Sequence, residues 1–151
     1  MTTMPEIGRP APYFEGIDQH GRTVSLTDFR GKKLAVYFYP QDLTPTCTTQ
    51  ACNLRDNYHL LAQKNIVVLG ISPDSEKKHG KFIAKYELPF SLLADTDRKI
   101  AQAFGVWRLK KFMGREYVGI VRTTFLIDEY GIVQKIIDKV QSKNHAAQLL
   151  D

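Results

Sequence analysis

The stretch YFYPQDLTPTCTTQAC, residues 37–52, contains both cysteines of this chain, Cys47 and Cys52. Thr44-Pro45-Thr46-Cys47 has the grammar of a helix start. Threonine suits the N-cap, and proline suits the first helical position, where its missing N–H would have no partner anyway. Cys47 then falls at the third helical position, among backbone N–H groups that have no acceptor inside the helix. Those donors and the positive end of the helix dipole favour a thiolate over a thiol. A cysteine so placed is a candidate nucleophile.

Cys52 follows five residues later, rotated by roughly 140° from Cys47 at 3.6 residues per turn. Ideal helix geometry puts the two Cα atoms roughly 8.6 Å apart, whereas a disulfide rarely tolerates more than about 7 Å. The sulfurs can bond only if the first turns unwind. Two states are expected: a helical reduced form for attack and a locally unfolded form for disulfide closure. The alternative reading of the pair is two inert thiols in a reducing compartment. The surrounding residues weigh against it: Pro40 ends an apolar run, Thr44 stands three before the cysteine, and Arg122 lies in the distant apolar stretch GIVRTTFLID. A charge in such a stretch needs a partner or a task. Either a carboxylate neutralises Arg122, or its guanidinium stabilises the Cys47 anion and holds an oxygen-rich substrate with fixed donors.

Metal chemistry is not expected. Cys47, Cys52 and His59 give at most three zinc ligands at unfamiliar spacing, and His20, His79 and His145 are scattered. The chain also lacks C-x-x-C, P-loop, G-x-G-x-x-G and H-E-x-x-H motifs.

The elements that would hold these residues follow from apolar patterning. APYFEGIDQHGRTVSLTDFRG reads as a hairpin turning at Gln19-His20-Gly21. KKLAVYFYP and IVVLGIS are continuous apolar runs, the mark of strands buried on both faces. Between them a helix is expected from about Thr46 to Lys64, with Cys47, Ala51, Leu54, Tyr58 and Leu61 along its buried face. A second helix spans 74–87, with Phe82, Ile83 and Tyr86 facing inward and Gly80 as a weak spot. FSLLAD is a short strand and DRKIAQAFGV a helix closed by Gly105. GIVRTTFLID and IVQKIIDKV form a hairpin around Glu129-Tyr130-Gly131, and a last helix begins near Ser142 as N-cap. Strand and helix alternate before the closing hairpin, so the expected fold is an α/β sandwich with a mixed central sheet. RLKKFMGREYVG is left as a loop. With 151 residues and no linker or repeat, one domain over 1–151 is expected.

Composition is that of a globular protein, 43% hydrophobic and 25% charged, with a net charge of +5. The basic residues are interspersed and sit in no recognisable nucleic-acid module, so nucleic acid is not an expected partner. No apolar run approaches the ~18 residues of a membrane span, and the N-terminus lacks the pattern of a secretory signal. The expected location is the cytoplasm.

YFYPQDLTPTCTTQAC, together with LGIS, FGVW, KKFMGREYVGIVRTTFLID and SKNH, resembles the peroxiredoxins along nearly the whole chain. The match is to the bacterioferritin comigratory protein, or Q-type, subgroup, whose resolving cysteine lies five residues after the peroxidatic one. The resemblance implies a thioredoxin-like three-layer sandwich that needs no cofactor. It assigns Cys47 as peroxidatic and Cys52 as resolving. Thr44 would contact thiolate and peroxide, Pro40 would shield the pocket, and Arg122 would orient both reactants. Gln50 falls in the arginine's hydrogen-bond network, and Thr46 completes the substrate-contacting set. Trp107, in FGVW, is expected in the pocket wall or the core. The implied activity is reduction of hydrogen peroxide and organic hydroperoxides through a Cys47 sulfenic acid and a Cys47–Cys52 disulfide. The implied recycling partner is thioredoxin or glutaredoxin, and the implied state a monomer. Two departures stand out. Thr46 replaces the subgroup's usual glycine, and a β-branched residue there is expected to slow unwinding; Leu43 replaces a usual acidic residue. A thiol–disulfide oxidoreductase acting on proteins and a non-enzymatic redox sensor are the competing functions.

Overall fold

A computed structural model describes residues 3–151 of the chain. The strands are β1 Glu15–Ile17, β2 Thr23–Ser25, β3 Lys33–Phe38, β4 Ile66–Ser72, β5 Ser91–Ala94, β6 Trp107–Phe112, β7 Arg115–Ile120, β8 Thr123–Ile127 and β9 Val133–Ile137. The helices are α1 Pro45–Asp56, α2 Tyr58–Gln63, α3 Glu76–Tyr86, α4 Lys99–Ala103 and α5 His145–Leu150. A seven-stranded sheet runs in the order β2-β1-β5-β4-β3-β8-β9. Its centre, β3 with β4 and β4 with β5, is parallel; β1, β8 and β9 join antiparallel. The expected mixed sheet and N-terminal hairpin are both present.

Alternation along β3 explains the layers. Leu34, Val36 and Phe38 point to one face, where they meet Phe104 and Phe125 and the α4 residues Ile100 and Ala101. Ala35, Tyr37 and Tyr39 point to the other, against α1, α3 and α5 through Cys47, Ala51, Leu54, Phe82 and Leu149. A strand apolar at every position is thus buried twice, as its sequence requires. Gly70 on β4 is tightly held: a Cβ there would lie 2.9 Å from the Tyr37 ring and 2.6 Å from Leu92. Among the described residues no helix is long and apolar enough to cross a membrane.

Four elements differ from the sequence-based expectation. The helix expected from Thr46 to Lys64 breaks at Asn57 (φ −111°, ψ 12°). The Asn57 side chain donates to the Asn53 carbonyl at 2.9 Å and so competes with the backbone ladder. The stretch 119–128 is not one strand: β7 and β8 are separate, and Val121 turns aside to donate to the Val106 carbonyl at 2.8 Å. Arg122 therefore lies in a break between strands rather than within one. The presumed loop 108–119 is a two-stranded hairpin, β6 with β7. Its turn residues Met113 (φ 51°) and Gly114 (φ 79°) are both left-handed, which matches the right-handed twist of the flanking strands. Finally, the last helix starts at His145, with Asn144 rather than Ser142 in the N-cap position and making no side-chain cap bond.

Candidate active site

Parallel strand β3 ends at Phe38, and the chain then passes through Tyr39–Leu43 into α1, so the loop 39–44 lies at the carboxyl edge of the sheet. Open α/β sheets place their chemistry at that edge. Thr44 occupies the N-cap position with extended dihedrals, and Pro45 is the first helical residue. The Thr44 side chain does not cap the helix; its hydroxyl donates to the Gln41 carbonyl at 3.0 Å. Cys47 is the third helical residue and is 2% exposed.

Arg122 reaches this helix from 75 residues away in sequence. Its Nη2 donates to Cys47 Sγ at 3.1 Å, and its Nη1 donates to Gln50 Oε1. Of the two partners expected for this arginine, a carboxylate and Cys47, its guanidinium contacts the second. The strand break at Val121–Arg122 is what frees the side chain to turn toward α1. Gln50, fully buried one turn after Cys47, holds the guanidinium from the far side. The result is a thiol at the start of a helix with a cation beside it.

Pro40 is half-buried and borders a cleft lined also by Trp107, Lys110, Tyr117 and Ile120. Trp107 packs on the core while the Arg98 guanidinium lies over its ring at 4.8 Å. Thr46 is exposed on the outer side of the first helical turn. Cys52 is half-buried in a separate shallow depression with Thr48, Thr49, Asn53, Asp56 and Lys143. Both cysteines are free thiols in one unbroken helix. The two cysteines have different surroundings: Cys47 is packed against Arg122, and Cys52 lines the shallow depression.

Two groups near the site lie outside the sequence-based set. Lys110, on β6, donates to the Ile120 carbonyl at 2.7 Å. Burial, and then repulsion from Arg122, push its ammonium below the usual lysine pKa. Nothing in its local sequence distinguished it from the other lysines of the hairpin. The second group is a buried polar network under the loop. The Tyr39 hydroxyl donates to Asp42 Oδ1 at 2.5 Å, and Asp42 Oδ2 lies 2.6 Å from His79 Nδ1. His79 Nε2 faces the Leu93 carbonyl at 2.8 Å. A carbonyl only accepts, so Nε2 carries a hydrogen, and the histidine and carboxylate share one further proton. The Asp42 amide donates to Asp74, which also accepts from Ser72 and pairs with Lys78. This network holds Leu43 in the left-handed region (φ 66°), a conformation uncommon for a residue of its type. It fixes the path of the chain between Pro40 and Thr44. Sequence did hold a signal for it: His79 stands three and four residues before Phe82 and Ile83, on the inner face of the helix.

Asp42, Asp74 and His79 bring ligand-type atoms within 4.8 Å of one another. Both His79 nitrogens and both Asp42 oxygens are already engaged within the protein, so the group reads as a structural clasp. His79→Leu is expected to lose about 3 kcal/mol of stability in urea unfolding, because the Asp42 carboxylate would stay buried without its partner. A loss under 1 kcal/mol would contradict that reading.

Comparison with known proteins agrees with this geometry. The AhpC/TSA family matches residues 7–136. Peroxiredoxin Bcp of Bacillus subtilis is 52% identical over 145 residues, covering 96% of this chain and 92% of that protein. Peroxiredoxin Bcp of Escherichia coli K12 is 47% identical, covering 91% and 88%. Among solved structures, a cysteine-to-serine mutant of Xylella fastidiosa PrxQ superposes with a TM-score of 0.90 at 30% identity, over 99% of this chain and 95% of that one. A structure of the bacterioferritin comigratory protein of Xanthomonas campestris, described for its alkyl peroxide reduction activity, superposes at 0.85 with 33% identity, over 91% and 87%. A cysteine beside an arginine at the edge of this sheet, and relatives of this kind along nearly the whole length, lead to one conclusion: the chain belongs to the AhpC/TSA family, among the peroxiredoxins of the Bcp or Q type, thiol peroxidases on a thioredoxin-like fold.

Proposed function

We propose that this protein reduces hydrogen peroxide and organic hydroperoxides by a two-cysteine cycle confined to α1. The observation that carries the reading is the 3.1 Å contact between Arg122 Nη2 and Cys47 Sγ at the start of that helix. The Cys47 sulfur attacks one peroxide oxygen in line with the O–O bond. Sulfur gains that oxygen as sulfenic acid, and the other oxygen leaves with a proton as water or an alcohol. Arg122 and the free N–H groups of the first helical turn stabilise the charge that gathers on the departing oxygen, joined by the Thr44 hydroxyl when it turns from the Gln41 carbonyl to the peroxide. Pro40 walls the approach, Gln50 steadies Arg122, and Thr46 lies at the entrance.

The first turns of α1 then unwind and Cys52 attacks the sulfenic sulfur, closing a Cys47–Cys52 disulfide with loss of water. An external dithiol protein, thioredoxin in the first instance, reduces the disulfide and restores both thiols. We place this cycle in the cytoplasm, in a single domain spanning 1–151 that works as a monomer.

Steady-state turnover with thioredoxin as sole reductant tests the reading. The parent protein is expected to cycle, whereas Cys52→Ser is expected to complete one oxidation and then stop. A Cys52→Ser protein that cycles like the parent removes the resolving role. Failure of the parent to turn over would favour a redox sensor, and reduction of protein disulfides in preference to peroxide would favour a thiol–disulfide oxidoreductase.

A further inference from the structure

Asn53 directly follows Cys52, and no step above uses it. Its Nδ2 donates to the Lys143 carbonyl at 2.7 Å, and its Oδ1 accepts from the Ala146 amide at 2.8 Å, contacts that span 90 and 93 residues of sequence. They give α5 the cap its own sequence lacks, since Asn144 makes no side-chain cap bond. The far side of α5 is firmly held. His145 is fully buried, with Nε2 2.8 Å from the Thr124 hydroxyl and Nδ1 2.9 Å from Gln148 Oε1. Burial lowers the His145 pKa, which keeps the imidazole neutral near neutral pH and lets Thr124 donate to it. Gln148 also donates to the Lys139 carbonyl and accepts from the Gln141 amide. Asn53 therefore ties the segment of α1 that carries Cys52 to an anchored element.

We infer that Asn53 is a latch, a positioning residue whose bonds to α5 must break before Cys52 can reach oxidised Cys47. The inference rests on the cysteine roles proposed above. Bringing the Cys52 sulfur to the Cys47 side of the helix means turning residue 52 through roughly 140°. The peptide shared with residue 53 turns with it, and the Asn53 side chain leaves both its partners. Any bond present in the folded helix and lost in the unwound one lowers the open population. A single net hydrogen bond corresponds to roughly a two- to tenfold change in that population.

The latch sets a competition. In the open form Cys52 attacks the sulfenic sulfur of Cys47: an S–S bond forms, the S–O bond breaks, and the hydroxyl leaves with the Cys52 proton as water. In the latched form the sulfenate meets a second peroxide molecule instead. Its sulfur attacks the O–O bond and gains one oxygen as sulfinate, while the peroxide is reduced to water or an alcohol.

Asn53→Ala and Asn53→Asp, with both cysteines in place, test the latch. One equivalent of hydrogen peroxide is added, free thiols are trapped with an alkylating reagent at successive times, and intact masses are read. Disulfide formation is expected to be about tenfold faster in Asn53→Ala, with an unchanged first oxidation and less sulfinate under excess peroxide. Asn53→Asp keeps only the acceptor and is expected to show a smaller acceleration; it carries the test if the alanine variant fails to fold. Unchanged or slower disulfide formation in the variants overturns the latch. If the parent itself forms no Cys47–Cys52 disulfide, the cysteine roles fail instead. Hydrogen exchange of the reduced proteins then decides the latch alone: amides 48–52 should exchange about tenfold faster in Asn53→Ala, and equal exchange overturns it.

Discussion

Cys47→Ser is expected to reduce peroxide consumption to the rate of buffer without protein. A serine hydroxyl at the third helical position meets the same Arg122 guanidinium and the same backbone donors. However, oxygen has no sulfenic acid state to enter, so the first step has no product. Cys52 cannot replace the missing sulfur, because it lies in a different depression and Arg122 contacts Cys47 rather than it. The substitution is nearly isosteric at a buried position, so the unfolding transition is expected to stay close to that of the parent. Loss of activity with an unchanged fold, read by peroxide consumption and circular dichroism on one sample, separates chemistry from collapse. Residual turnover above buffer would place the reacting sulfur elsewhere.

Arg122→Ala carries the second large effect. Its guanidinium is the one cation that touches Cys47 Sγ among the described residues, and its second nitrogen is spoken for by Gln50. Removing a fixed donor aimed at developing charge typically costs about 100- to 1000-fold in rate. The peroxide step of Arg122→Ala is expected to slow by that much in single-turnover mixing. Arg122→Lys is expected to recover only part of the rate, because a lysine offers a point charge where the site uses a fork gripping sulfur and Gln50 together. Equal rates for parent and Arg122→Ala would remove the arginine from the chemistry and leave it a packing residue between α1 and the sheet.

How far these elements were readable follows from the range of the forces that fix them. Local grammar sufficed for the start of α1: threonine, proline and the count to Cys47 are settled within four residues. The central strands were equally plain, because burial on both faces leaves no polar positions in KLAVYF or IVVLGIS. Arg122 was legible as a charge out of place, but not as a residue in a strand break. The Val121 amide that makes the break finds its acceptor at Val106, which no local pattern announces. The start of α5 is hidden from local sequence for the same reason. Ser142 and Asn144 are equally good caps on local propensity, and what decides between them is distant: Asn53 on α1 accepts from the Ala146 amide, and the helix starts at His145. Likewise, the histidines looked scattered because the partners of His79 stand 37 and 14 residues away.

The hairpin β6–β7 carries no strand signal in sequence because its strands alternate poorly. Leu109, Phe112, Tyr117 and Val118 are all exposed, so apolar and polar residues do not sort onto two faces. Its turn, Met113-Gly114, was the available signal, since glycine at the second of two left-handed positions is the mark of a tight hairpin.

Intact mass after one equivalent of hydrogen peroxide, measured on the parent and on Cys52→Ser, tests most directly the claim that one sulfur of α1 reacts and the other follows only on unwinding. The parent should lose two hydrogens, as a disulfide; Cys52→Ser should gain a single oxygen on Cys47. A parent that retains the added oxygen with both thiols of α1 otherwise unchanged, or a Cys52→Ser protein that gains none, would contradict it.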